Sequence, residues 1–177
     1  MAKSKVTQGL TRSHEKELIK LLGLVGQPWS VDFFNAVKHQ VVMTAIEVAI
    51  MRGGTFKPQI ILIKRPITDK YWPGQLHSPG SMLRESDVPA EDFRNTFQRI
   101  LGEIGVTTFK SPPILVDAWP VATRRGPENA NLHIAEINGE PGIGKFWDID
   151  EALALPVDVP DGLIPEHVKI LKLAAHH

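Results

Sequence analysis

The chain has 177 residues, 42% of them hydrophobic and 23% charged, with a formal net charge of zero. That length suits one domain with its own core rather than two, and the neutral balance lacks the basic field of a nucleic-acid binder, so no nucleic-acid partner is expected. With no cysteine, disulfides, zinc–thiolate sites, iron–sulfur clusters and thiol nucleophiles are excluded.

From residue 12, Leu18, Leu21, Leu22 and Val25 recur at helical spacing, with Ser13 as the expected cap. Gly26-Gln27-Pro28 breaks this helix, and Ser30 caps a second short one with Phe33, Phe34 and Val37 on one side. Residues 1–39 thus read as an added helical segment, and residues 40–177 as the main domain. QVVMTAIEVAIM, from Gln40, is rich in β-branched residues and predicts a strand. Arg52-Gly53-Gly54 predicts a turn, and QIILIKRP a second, buried strand that completes a hairpin. Residues 67–91 carry Pro73, Gly74, Pro79, Gly80 and Pro89 and predict a long irregular segment, the kind that usually serves function.

A helix is predicted from about Pro89 to Gly102, closed by Gly105. Phe93, Phe97, Ile100, Leu101 and Ile104 fall on its core face, while Asp92, Arg99 and Glu103 share another face with Thr96. On that face an Arg99–Glu103 pair is the ordinary expectation. PPILVDAWPVA and ANLHIAEING predict strands flanking a polar loop, TRRGPEN. FWDIDEALALP predicts a strand end and a short helix, and PEHVKILKLAA a last helix with Val168, Leu171 and Leu173 partly inward. The order suits an α/β sandwich on a mixed sheet. No apolar leader is visible, and runs such as 41–51 are far short of the ~20 residues that span a bilayer, so a cytoplasmic chain with no membrane partner is expected.

Trp72-Pro73-Gly74, then Pro79-Gly80-Ser81, then the run Gln98-Arg99-Ile100-Leu101-Gly102-Glu103-Ile104-Gly105-Val106, and finally FWDIDEALALP, together resemble the Nudix family over roughly residues 40–175. The resemblance implies a Nudix-type α/β/α sandwich. It also implies hydrolysis of a nucleoside diphosphate linked to another group, with Mg2+ or Mn2+ held by glutamates on the signature helix. The match departs from the motif at the acids. Arg99 and Gly102 stand at glutamate positions, Gln98 replaces the motif arginine, and Ser81 replaces the second glycine. Asp87 stands where the loop glutamate falls, with about three extra residues before the helix. Glu103 is the surviving motif glutamate, and with Asp87 it is the catalytic candidate. Glu103, Asp87 and Glu85 are the metal candidates, with Asp92 a further oxygen donor if the inserted loop folds back.

A guanidinium cannot bind a cation, so the metal site is expected to be weakened. The alternative is a non-catalytic module that binds a nucleotide or another phosphorylated ligand, Arg99 supplying by direct charge what metal supplies elsewhere. Arg65, Arg124 and Arg125 are phosphate-contact candidates, Trp72 is a stacking candidate, and Gly80 lets the loop pass close to the ligand. Among the histidines, His77 is the acid–base candidate, and His39, His133 and His167 show no metal-ligand spacing. Glu128 is a further candidate base, and Trp147 is expected in the core. The apolar N-terminal segments mark a candidate homodimer contact.

Overall fold

The computed structural model describes residues 11–25, 30–37, 41–54, 57–84, 87 and 93–177. Glu85, Asp92, His39, the Gly26-Gln27-Pro28 break and the predicted start of the central helix lie outside them.

The described residues form a mixed sheet of seven strands. β1 (Met43–Arg52) and β2 (Gln59–Lys64) are antiparallel, meeting at Met51–Ile60 and Arg52–Gln59. The turn between them opens on Gly53 and Gly54, both at positive φ, as the glycine pair predicted. β3 (Leu76–His77) pairs with β2, and β4 (Gly80–Met82) pairs with β1. Both lie in the segment expected to be irregular. At two and three residues they are too short for periodicity to reveal, and they exist because the edges of β1 and β2 offer them backbone partners. β5 (Ile114–Thr123) and β6 (Gly126–Ala135) form a long antiparallel hairpin, and β6 runs parallel to β1 from Met43–Glu128 to Ile50–Ala135. The expected polar loop shrinks to Arg124-Arg125, because Gly126, at φ 131°, lets the strand resume at once. β7 (Lys145–Asp148) pairs with β2.

Residues of β1 alternate between two apolar clusters, as period-2 side-chain geometry requires. Ile46, Val48 and Ile50 pack with Ile61 and Ile63 beneath Ile100 of α3 (Arg94–Glu103) and Ile104 just after it. Ala49 faces the other way, with Ile60, Leu62 and Leu132, towards α4 (Ile149–Leu153) and α5 (His167–Ala174). The core face predicted for α3 is the one observed, with Phe93 and Phe97 at its partly buried margin. On α5 the inward stripe is His167, Ile170, Leu171 and Ala174, so Val168 and Leu173 pack only at the margin. Trp147 is half-buried against that same cluster.

At the N-terminus, α1 (Arg12–Leu22) is capped by Thr11, two residues before the expected Ser13, its Oγ1 accepting from the His14 N–H at 3.3 Å. α2 (Val31–Val37) is capped by Ser30 as predicted, Oγ accepting from the Phe33 N–H at 3.2 Å. α1 buries none of its residues. Among the described residues no helix is long and apolar enough to cross a membrane.

Candidate functional site

One edge of β1 follows β6 throughout. The other is shared: β4 holds Ala45–Glu47 and β2 holds Met51–Arg52. Where those two strands part, a cavity of about 230 Å3 opens, lined by Ala45, Glu47, Arg65, His77, Gly80, Ser81, Met82, Arg84 and Arg125. A splayed strand pair gives a concave site with backbone groups exposed along its rim.

The ordinary expectation of an Arg99–Glu103 pair is replaced by a buried one. Arg99 Nη1 and Nη2 each donate to an Asp87 carboxylate oxygen at 2.7 Å, and Asp87 is only 2% exposed. The same guanidinium reaches Ser81 Oγ, the Met82 carbonyl and Thr96 Oγ1, while the Arg84 N–H donates to Asp87 Oδ2 at 2.7 Å. One arginine thus fastens α3 to β4 and to the loop after it. The Arg99 hydrogen bonds, outweighing burial, hold the Asp87 carboxyl well below its ordinary range.

Glu103, the last residue of α3, faces the cavity side instead and accepts a hydrogen bond from the Gly80 backbone. Burial raises its pKa, against the pull of Arg65 and of that bond. Arg65 lies just beyond β2 with its charge disfavoured by burial first and by Arg125 next. Asp69 stands 3.7 Å away, and Arg65 Nε is buried with no hydrogen-bond partner. Arg125 grips Glu128 through two contacts of 3.0 Å, and Thr123 Oγ1 donates to the same carboxylate at 2.7 Å. Trp72 is 2% exposed, with the Arg125 and Arg65 guanidinium carbons 5.0 and 5.9 Å from its ring. Arg124 turns outward and donates to the Tyr71 carbonyl and to Asp158.

Of the sequence candidates, the fold brings Arg65, Gly80, Arg125 and Glu103 together. Asp87 and Arg99 form a neighbouring strut, and Arg124 stands apart at the rim. His77 is buried, its Nδ1 2.8 Å from the Ser78 carbonyl; burial, then Arg65, drives it to the neutral form. His167 accepts from the Ser78 N–H at 3.2 Å and from its hydroxyl at 2.8 Å, and burial depresses its pKa to about 3. Sequence reasoning missed Glu47, a carboxyl in mid-β1 whose pKa burial pushes up to about 8. A lone glutamate in an apolar run signals only a face, not its neighbours.

A Nudix-type centre implies Mg2+ or Mn2+, which need several oxygen ligands at once. On α3 the side chains do not fit that cluster. Arg99 is a cation, Gly102 offers no side chain, and both oxygens of Asp87 are engaged. Among the described residues no group of three His, Asp or Glu is placed to hold a metal ion. Glu103 is the motif oxygen donor that remains on the helix.

No protein-family model matches the sequence, and no curated protein does. Solved structures do, and they define the class: the chain has the Nudix fold. A NUDIX hydrolase from Alicyclobacillus acidocaldarius aligns over 77% of this chain and 92% of its own, with TM-score 0.59 and 13% identity. A MutT NUDIX hydrolase from Burkholderia pseudomallei aligns over 75% and 98%, with TM-score 0.55 and 20% identity. The NUDIX domain of Shewanella oneidensis NrtR, complexed with ADP ribose, aligns over 94% and 98%, with TM-score 0.57 and 13% identity. The longer NrtR chain, complexed with a 27mer DNA, is covered over only 59% of its length.

Proposed function

We propose that this chain is a Nudix-like hydrolase of nucleoside diphosphate derivatives whose metal site is weakened, with the ligand's phosphates drawn into the β1–β2–β4 cavity by Arg65, Arg84 and Arg125. The observation that carries the reading is the cavity itself. Three guanidinium groups line one hollow beside Glu103, the motif acid that remains. The planar guanidinium fork suits the paired, negatively charged oxygens of a diphosphate. The ADP ribose held by the NrtR domain is a ligand of that class on a similar fold.

ADP-ribose and related nucleoside diphosphate derivatives, supplied with Mg2+ or Mn2+, are therefore expected to be cleaved slowly. Glu103→Gln is expected to remove that turnover without lowering the melting temperature by more than a degree or two. Equal turnover in wild type and Glu103→Gln defeats the hydrolase reading.

A second reading, a module that holds the ligand without cleaving it, starts from one feature. The Arg99–Asp87 strut places a fixed cation where the family motif has an acid. Under this reading ADP-ribose shifts the melting temperature fully in EDTA, and no product forms with either metal. A shift seen only with added metal rejects it.

A further inference from the structure

Glu47 is out of character with its strand. Along β1, Ala45, Ile46, Val48, Ala49 and Ile50 are at most 1% exposed and apolar, and Glu47 sits among them at 7%. Its Oε2 is buried with no hydrogen-bond partner. Nothing local demands a carboxyl there, and an orphaned buried acid lowers stability.

The opposite strand makes room for that oxygen while shielding it from solvent. Gly80 is the cross-strand partner of Glu47, and a Cβ at that position would lie 2.1 Å from Oε2. Only glycine leaves the carboxyl where it is. The same cavity contains a second orphan, the Nε of Arg65. Glu47 and Arg65, each carrying a buried atom without a partner, thus line one hollow large enough for a phosphate group. Arg84 and Arg125 supply further positive charge to its wall.

We propose that Glu47 is a ligand-reading residue, contacting, together with the Arg65 side chain, a phosphate oxygen of the nucleoside diphosphate derivative at the cavity floor. This rests on the ligand class assigned under Proposed function. An ionised carboxylate would repel a phosphate, so the contact requires the acid form, which donates its proton to the phosphate oxygen. The surroundings favour that form. Burial is the largest influence, raising the pKa to about 8, with Glu128 and Glu103 adding to it against Arg125 and Arg65. The other titratable groups lining this region are His77 on β3, and Glu166 and His167 beside the adjoining wall. Both histidines are held neutral by burial, so the cations that face Glu47 are the arginines. At neutral pH the floor therefore carries no anion, and its charged groups are arginines, which favours a phosphate oxygen over an ammonium group or a metal ion.

The test uses the full chain, Glu47→Leu and Glu47→Gln, with ADP-ribose and inorganic pyrophosphate as probes in EDTA, read by titration calorimetry and by melting temperature without ligand. Leucine removes the orphaned acid, so Glu47→Leu is expected to melt at or above wild type while binding ADP-ribose at least tenfold more weakly. Glutamine keeps a donor, so Glu47→Gln is expected to stay within about threefold of wild type at pH 7. It is also expected to hold that affinity at pH 9, where wild type weakens as pH passes through about 8. Unchanged affinity in Glu47→Leu overturns the proposal, and so does a fall of several degrees in its melting temperature, because Glu47 would then be a structural support. Wild type that binds pyrophosphate but not ADP-ribose overturns the ligand class alone, and the same variants then decide the role of Glu47 on pyrophosphate. Wild type that binds neither probe in EDTA overturns the Glu47 contact, and wild type that binds neither with Mg2+ added overturns the ligand class as well.

Discussion

Arg99 and Asp87 show how one residue changes the meaning of a motif. In the resemblance both positions carry acids that gather a cation from solvent; here one acid has become the cation, and the pair closes on itself. The bond is directional and doubly anchored, with two contacts of 2.7 Å to a carboxylate whose side chain is fully buried. Removing one partner of such a pair leaves the other desolvated and unpaired. Asp87→Asn is expected to cost about 2–3 kcal/mol in urea unfolding, somewhat less than a fully buried pair because Arg99 keeps part of its surface in water. The pH dependence has a definite sign. The folded-state pKa of Asp87 is depressed below its ordinary 3.8, so its contribution is present above that value and is lost as acid protonates the folded state. The difference between wild type and Asp87→Asn should therefore shrink below about pH 4, and a gap that stays constant down to pH 2 argues against the strut. The sequence allowed Asp87 and Arg99 to be singled out but not paired, since twelve residues and an inserted loop separate them. Glu47 was illegible for a related reason. Its meaning lies in Gly80, which only the register of β4 sets across from it.

At the scale of elements, legibility followed length and periodicity. Helix α3 was readable because five apolar residues repeat on one face, and its core side is the predicted one. β1 and β2 were readable as dense β-branched runs. β3 and β4 were not, because their backbone pairing carries no side-chain pattern, yet they frame the cavity. The turn after α3 was legible through Gly105, and its packing supplies a prediction. Gly105 has φ 70°, and a Cβ there would lie 3.3 Å from the Gly142 Cα, where the Gly142 and Ile143 N–H groups donate to the Ile104 carbonyl. An alanine would meet both the left-handed backbone penalty and that close approach. Gly105→Ala is expected to destabilise by about 1–2 kcal/mol while leaving ADP-ribose affinity within twofold, since neither Gly105 nor Gly142 lines the cavity. Urea melts beside calorimetry check both halves; a stable variant would mean that the loop at Gly142 yields freely.

At the scale of the whole molecule, the sheet and its two flanking clusters draw on residues from Ile46 to Ala174, and α1 adds nothing to either. Its apolar stripe instead meets solvent, with Leu18 43%, Leu21 53% and Leu22 45% exposed and Ile19 at 71%. The helix is held by its own backbone and by the Thr11 cap, and an isolated eleven-residue helix is marginal in water. A stripe of this kind is the surface on which the expected homodimer would form, because burying it would stabilise α1 as well as the contact. Two measurements on Leu18→Glu/Leu22→Glu separate this from a hidden role in the core. Unfolding at low protein concentration should move by less than about 0.5 kcal/mol, the range of surface substitutions that touch no packed feature. Sedimentation at tens of micromolar should change from dimer in wild type to monomer in the variant. A monomeric wild type removes the dimer, and a large loss of stability in the variant at low concentration would mean that α1 docks on the sheet after all.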